Sequence, residues 1–344
     1  MNLIITGGAG FLGYHLYNQL FDKYDEILVI DIAPFSSSEY PKNVKYIKGD
    51  IRDLSLLKRA FEGYDFVVHS AAALPLWKKK DILTTTIKGT ENVLVASLEN
   101  KIKRVVYVSS TAVYGMPKKS PIYEDDPLIG IGPYGKAKIK AEKICEEYRK
   151  KGLCIPIVRP KTFIGEARLG IFQILYDWVK SGKRIPVIGN GENRYQLLEV
   201  EDLVDAIYLL LTLEEERVND TFNVGAKEFK RAKEDLADLC DFAKSKSRVM
   251  TTPAGIIKTL LWLFWTIRIS PLYKWVYETA DKDSFVSIEK IEKKCGFLPK
   301  YSNSDALIKS YQWYLKHCDE IQTSGTTHRV AWKQGILGLF KKIL

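Results

Sequence analysis

The chain has 344 residues, 46% of them apolar and 27% charged, which suits a globular protein of one large or two moderate domains and excludes a disordered or fibrous one. Five scattered cysteines (Cys145, Cys154, Cys240, Cys295 and Cys318) form no CxxC pair, so neither a disulfide framework nor a zinc site is expected. The net charge of +10 favours an anionic partner. With no zinc-finger pattern, RNP-type aromatic motif or helix-turn-helix, nucleic acid is not expected to be that partner, which leaves nucleotide phosphates or an acidic membrane face.

The N-terminus runs straight into the apolar LIIT without a basic leader or cleavage pattern, so a cytoplasmic protein is expected. After LIIT come ILVID, DFVVHSA, RVVYVSS and CIPIVRP, each separated from the next by a helical pattern. Strands that are apolar throughout must be covered on both faces, which predicts a doubly wound parallel α/β sheet of the Rossmann type. Between the first strand and the first helix lies TGGAGFLG, residues 6–13, with glycines at Gly7, Gly8, Gly10 and Gly13. Such a loop turns tightly and lets a pyrophosphate rest on the helix N-terminus. Asp31 ends the second strand, where a carboxylate can bond the adenosine ribose. Ile32 and Ala33 follow it and offer no cation for a 2′-phosphate, so the expected cofactor is NAD rather than NADP.

Further along, GPYGKAKIKAEKI places Tyr134 and Lys138 one helical turn apart on one face. A cation close to a phenol lowers its pKa from near 10 by roughly one to three units, which would fit Tyr134 for proton transfer.

Taken together, TGGAGFLG, GDIRD at 49–53, HSAAA at 69–73, VSSTAVYG at 108–115, YGKAK at 134–138 and GNGENRYQLLEVEDLVDAI at 189–207 resemble the extended short-chain dehydrogenase/reductase family, in its NAD-dependent epimerase/dehydratase branch, over residues 1–317. The resemblance implies that Ser110 hydrogen-bonds the reacting hydroxyl, that Tyr134 exchanges its proton, and that Lys138 holds the nicotinamide ribose and depresses the phenol. It also implies a cofactor site made by Gly7, Gly10, Phe11, Leu12 and Asp31, with Asp50 and Ile51 at the adenine and Ala71, Ala72 and Ala73 as a wall of small residues. Arg194 would contact a substrate diphosphate, for which a guanidinium fork is suited, and Thr162 stands where an Asn often touches substrate. Two further departures from the family pattern are Thr86, in place of the usual Asn of an NVxGT run, and Thr111–Ala112, where the 4,6-dehydratases carry an Asp-Glu pair. Without that acid and base, dehydration is not expected.

In the C-terminal half, TFNVG at 221–225 is expected to rejoin the sheet. The cofactor domain is thus drawn as residues 1–165 with about 219–226, a smaller discontinuous substrate lobe as 166–218 and 227–318, and a basic amphipathic tail as 319–344. The run IIKTLLWLFWTIRI at 256–269 is too short to span a bilayer. A buried lobe helix is the default for it, with a lipid-facing patch or the wall of an apolar pocket as alternatives. In WKQGILGLFKKIL, Trp332, Ile336, Leu337, Leu339, Phe340, Ile343 and Leu344 gather on one helical face with Lys341 and Lys342 opposite. That pattern suits either peripheral attachment to an acidic membrane or packing on the body or a second subunit. The expected activity is epimerisation, at C4, of a sugar carried on a nucleotide or lipid diphosphate. A hydroxysteroid-type dehydrogenase acting on an apolar alcohol is the alternative, and the resemblance makes a homodimer the default.

Overall fold

The computed structural model describes residues 1–34, 40–75, 77–116, 118–266 and 274–321, together with Arg329, Gly338 and Lys341. Eleven strands are present among them: β1 Asn2–Thr6, β2 Glu26–Asp31, β3 Val44–Lys48, β4 Phe66–His69, β5 Arg104–Val108, β6 Ile157–Pro160, β7 Thr162–Ile164, β8 Ile185–Ile188, β9 Leu197–Glu199, β10 Thr221–Val224 and β11 Val249–Thr252. Seven of them form one sheet in the order β3-β2-β1-β4-β5-β6-β10, and every pairing is parallel. This is the doubly wound sheet expected from the apolar runs, and TFNVG rejoins it as the edge strand β10. Two small parallel pairs, β8 with β11 and β7 with β9, stand outside it.

Alternation along the strands feeds two cores. Leu3 and Ile5 of β1 point to one face, packed with the helices Phe11–Leu20 and Val200–Thr212. Ile4 points to the other, against the helices Thr90–Glu99 and Gly132–Arg149. The strand order reverses between β1 and β4, so a crevice opens beyond their C-terminal ends, where open α/β sheets bind ligands.

Two sequence expectations need correction here. The helix Val200–Thr212, drawn in the lobe, belongs to the sheet's own core through Leu203, Val204, Ile207 and Leu210, because a parallel sheet must be covered on this face too. Ile291 and Cys295, on the helix Glu289–Cys295, join the same core. The lobe core proper is formed by Ile174, Tyr176, Trp178, Leu239, Tyr311 and Tyr314. The second correction concerns the run at 256–269. The helix Ala254–Thr266 is not buried: Ile256, Trp262 and Leu263 are 62%, 51% and 46% exposed.

Most of the expected tail helix lies outside the described residues. Two described side chains of the 319–344 tail touch the body: the Lys341 ammonium pairs with Asp177 at 2.6 Å, and the Arg329 guanidinium lies 4.1 Å from the centre of the Tyr14 ring. Among the described residues no helix is long and apolar enough to cross a membrane.

Candidate active site

The glycine loop is held by its own backbone: Gly7 N–H donates to Ile30 O at 2.8 Å, and Gly10 N–H to Gly7 O at 3.1 Å. Gly7 has φ +77°, a conformation costly for any residue with a side chain. A Cβ at Gly13 would stand 2.3 Å from the Gly8 Cα, so the helix Phe11–Leu20 starts flush against the loop. At Gly10 an added Cβ would meet only the Gly7 carbonyl, at 3.1 Å, on the side that opens to the crevice. Gly13→Ala must therefore displace loop backbone. We expect NAD affinity to fall at least about tenfold, the equivalent of about 1.4 kcal/mol, read by calorimetric titration.

Asp31 is tied to this loop. Its carboxylate accepts from Ala9 N–H at 3.0 Å and from Ala33 N–H at 2.9 Å, and burial raises its pKa. On the neighbouring edge Arg52 bonds Asp50 through Nε at 3.0 Å, and Ile51 is buried. Ala71, Ala72 and Ala73 leave the end of β4 along the same wall. Glycine loop, helix N-terminus, Asp31 and the small-residue wall thus line a single cavity of about 1300 Å³, where a pyrophosphate can rest on the helix N-terminus and a carboxylate can bond a ribose.

Ser110 follows β5 and caps the short 3₁₀ turn Thr111–Tyr114, its Oγ accepting from Ala112 N–H at 3.1 Å. Tyr134 stands in the first turn of the helix Gly132–Arg149, set by Pro133. Both line the cavity, as does Lys138. The expected electrostatics do not hold in this state. Burial pushes the Tyr134 phenol up to about 12, and the Ser110 hydroxyl offsets only part of that. Lys138 is buried, donates from Nζ to Val108 O at 2.7 Å and lies 4.7 Å from the centre of the Tyr107 ring. Burial pushes its ammonium down to about 8, against the field of Glu142. A buried ammonium takes the nearest carbonyl, and here that belongs to β5.

At the substrate end Thr162 Oγ1 is 3.0 Å from Tyr195 Oη, and both side chains line the cavity. Arg194 does not line it. Its backbone N–H donates to Asp283 at 2.7 Å, and its guanidinium lies 4.4 Å from the centre of the Phe285 ring with Asp283 at 3.5 Å, half exposed. Thr86, at the position of the family's Asn, is buried in the π-helical turn Thr84–Gly89, and its neighbour Thr85 is the one that lines the cavity.

Sequence reasoning missed three cavity residues: Lys161, Arg168 and Tyr195. The signal for Lys161 was a lysine at the end of an apolar strand, in IVRPK. Its Nζ donates to Ser284 Oγ at 2.8 Å and stands 4.8 Å from the centre of the Tyr195 ring. Arg168 follows Ala167, whose φ of +64° turns the chain back so that the guanidinium lies over Phe11 and Phe163.

Burial pushes the Lys161 ammonium down to about 7 from 10.5. Between those values the unfolded chain binds a proton that the folded chain does not, so stability rises with pH across that window, and the burial penalty is complete below it. Lys161→Met is accordingly expected to stabilise the protein more at pH 6 than at pH 9, by about 2 kcal/mol, in paired thermal melts.

Residues 3–225 match the NAD dependent epimerase/dehydratase family, and the chain belongs to it as an NAD-dependent enzyme. The uncharacterized protein y4nG of Sinorhizobium fredii is 34% identical over 339 residues, covering 98% of this chain and 84% of that protein. The N-acetyl-alpha-D-glucosaminyl-diphospho-ditrans,octacis-undecaprenol 4-epimerase of Escherichia coli O157:H7 is 30% identical over 215 residues, 60% of this chain and 62% of that one. Among solved structures, the UDP-glucose 4-epimerase of Thermotoga maritima with UDP-glucose superposes with a TM-score of 0.77 at 22% identity, over 92% of this chain and all of that one.

Proposed function

We propose that the protein epimerises a sugar at C4 while the sugar is carried on a diphosphate, through a transient ketone. The observation that carries the reading is that Ser110, Tyr134 and Lys138 line the same cavity as the glycine loop, Asp31 and the alanines after β4. The names of the two 4-epimerases similar to this chain support it, one acting on UDP-glucose and one on a lipid-linked sugar. Bound NAD would supply the hydride acceptor for the carbon bearing the hydroxyl and, when oxidised, a positive charge beside the phenol. Gly7, Gly10, Phe11, Leu12, Asp31, Asp50, Ile51 and Ala71–Ala73 would hold it, and Lys138 would donate to its ribose. Ser110 holds the sugar hydroxyl, Tyr134 removes its proton, and after the ketone turns in the cavity the same pair returns the proton. Thr111 and Ala112 carry no carboxyl, and the Thr111 hydroxyl is bonded to Pro160 O at 3.3 Å, so no acid and base stand ready for loss of water.

A redox-neutral enzyme has no need to exchange its cofactor. Denaturing the freshly purified protein should release close to one NAD per chain, and turnover should convert the sugar with no net NADH. The apolar far end of the cavity favours a second reading, a dehydrogenase of an apolar alcohol. An empty cofactor site and stoichiometric NADH from such an alcohol would establish that reading instead.

A further inference from the structure

We propose that the apolar end of the catalytic cavity holds the hydrocarbon chain of a lipid-diphosphate carrier, taken up across the helix Ala254–Thr266 from an anionic membrane surface. This rests on the epimerase reading and selects between its two carriers.

The helix Ala254–Thr266 is apolar on two sides. Ile257, Leu260, Leu261 and Phe264, at helical spacing, line the cavity. Ile256, Trp262 and Leu263 face outward and are exposed. A helix that is apolar all round is ordinarily enclosed by protein. At 13 residues this one extends about 20 Å, too short to span a bilayer but long enough to lie in an interface.

The helix follows β11 directly, and its strand pair β8–β11 begins with cations. Arg184 precedes β8, Arg248 precedes β11, and with Lys246 they line a concavity that contains Ser245 and no carboxylate. The cations stand at the N-terminal end of the strand pair whose C-terminal end leads into the helix, and exposed apolar side chains together with cations suit an acidic headgroup layer.

Inside, polar side chains that line the cavity are engaged by the protein. Asn193 donates to the carbonyls of Ala280 and Lys282 at 3.1 and 3.2 Å, Thr252 to Val187 O at 2.8 Å, and Asn303 to Asp235 at 2.8 Å. These three side chains are thus bonded to protein, and Arg194, the expected diphosphate ligand of a nucleotide sugar, lies outside the cavity against Asp283. An isoprenoid chain asks only for apolar walls.

The test uses the full-length, NAD-loaded protein and needs no turnover. Farnesyl diphosphate and UDP are titrated calorimetrically, and vesicles of phosphatidylglycerol or phosphatidylcholine are sedimented with the protein. Farnesyl diphosphate is expected to bind at least about tenfold more tightly than UDP. Phe264→Asp, with its NAD content confirming the fold, should weaken farnesyl binding at least about tenfold. Trp262→Asp should reduce sedimentation with phosphatidylglycerol vesicles. Tighter binding of UDP, or farnesyl binding indifferent to Phe264→Asp, overturns the proposal, as does equal sedimentation with both vesicles. If Phe264→Asp does not fold, the wild-type comparison of farnesyl diphosphate with UDP decides alone. Conversion of a UDP-sugar with weak farnesyl binding would defeat this inference and leave the epimerase standing. Tight farnesyl binding with no sugar converted on either carrier would do the reverse.

Discussion

Tyr134→Phe is expected to retain bound NAD and to lose activity by a factor of about 10² to 10⁴, the range that a positioned acid-base group contributes. The substitution removes one oxygen from a ring that packs among Ala73, Ile82 and Ala137, so the fold and the cofactor wall should stand. What disappears is the group we propose to exchange a proton with the substrate hydroxyl. In the structure that phenol is pushed up to about 12 by burial, so by itself it stays protonated at neutral pH. A positive charge within about 4–6 Å favours the phenolate by roughly one to three units. Activity of the wild type should therefore rise with pH, with an inflection below the value of about 12 that burial sets. The variant's residual rate should lose that inflection, a change that a merely structural tyrosine would not produce. Stopped assays of sugar product across pH, with NAD content measured on the same samples, check both parts. Substantial activity with an unchanged profile would remove Tyr134 from the chemistry.

How much of this could be read from the residues depends on the kind of signal. The sheet was legible because β1, β2, β4, β5 and β6 are apolar on both faces, and a continuous β-branched run between helical patterns has few other uses. Strand β3 escaped notice because VKYIK alternates and lies half exposed at the sheet edge. The cavity walls were legible wherever a motif fixes the backbone: the glycine loop, Asp31, the alanines after β4, Ser110 and the Tyr134 helix all line one cavity. Side-chain direction was not legible. The spacing of Tyr134 and Lys138 is right for contact, yet the ammonium bonds the Val108 carbonyl, because its hydrogen-bonding is decided by β5. Arg194 and Tyr195 are adjacent in sequence, and the strand-like alternation at that point turns the tyrosine inward and the arginine to Asp283. The helix Ala254–Thr266 shows the same limit. Its composition suggests burial, while its two-sided placement depends on the strand pair it follows.

Replacing Glu142 with alanine should cost about 3–5 kcal/mol of stability, the usual consequence of removing one partner from a buried ion pair. Glu142 and Arg159 are almost fully enclosed, and their closest approach is 2.7 Å. Arg159 Nε also donates to Glu142 at 3.0 Å, NH1 donates to Tyr114 Oη at 2.8 Å, and that hydroxyl in turn donates to Asn223 at 2.7 Å. The cluster thereby ties the helix carrying Tyr134 and Lys138 to β6 and β10. Ser109, next to Ser110, donates to the same carboxylate. Alanine would leave the buried Arg159 charge with two donors unmet and the Ser109 hydroxyl without its acceptor. The loss should reach the active site as well. Burial pulls the Lys138 ammonium down and Glu142 holds it up, so removing the carboxylate lowers its pKa below the present value of about 8. Glu142→Gln separates the two effects, because the amide keeps an acceptor for Ser109 while the charge is gone. Denaturant unfolding of wild type and both variants should place Glu142→Gln between the other two in stability. The pH at which NAD binding weakens should shift downward in both variants alike. An alanine variant within about 1 kcal/mol of wild type would show that this pair does not hold the helix to the sheet.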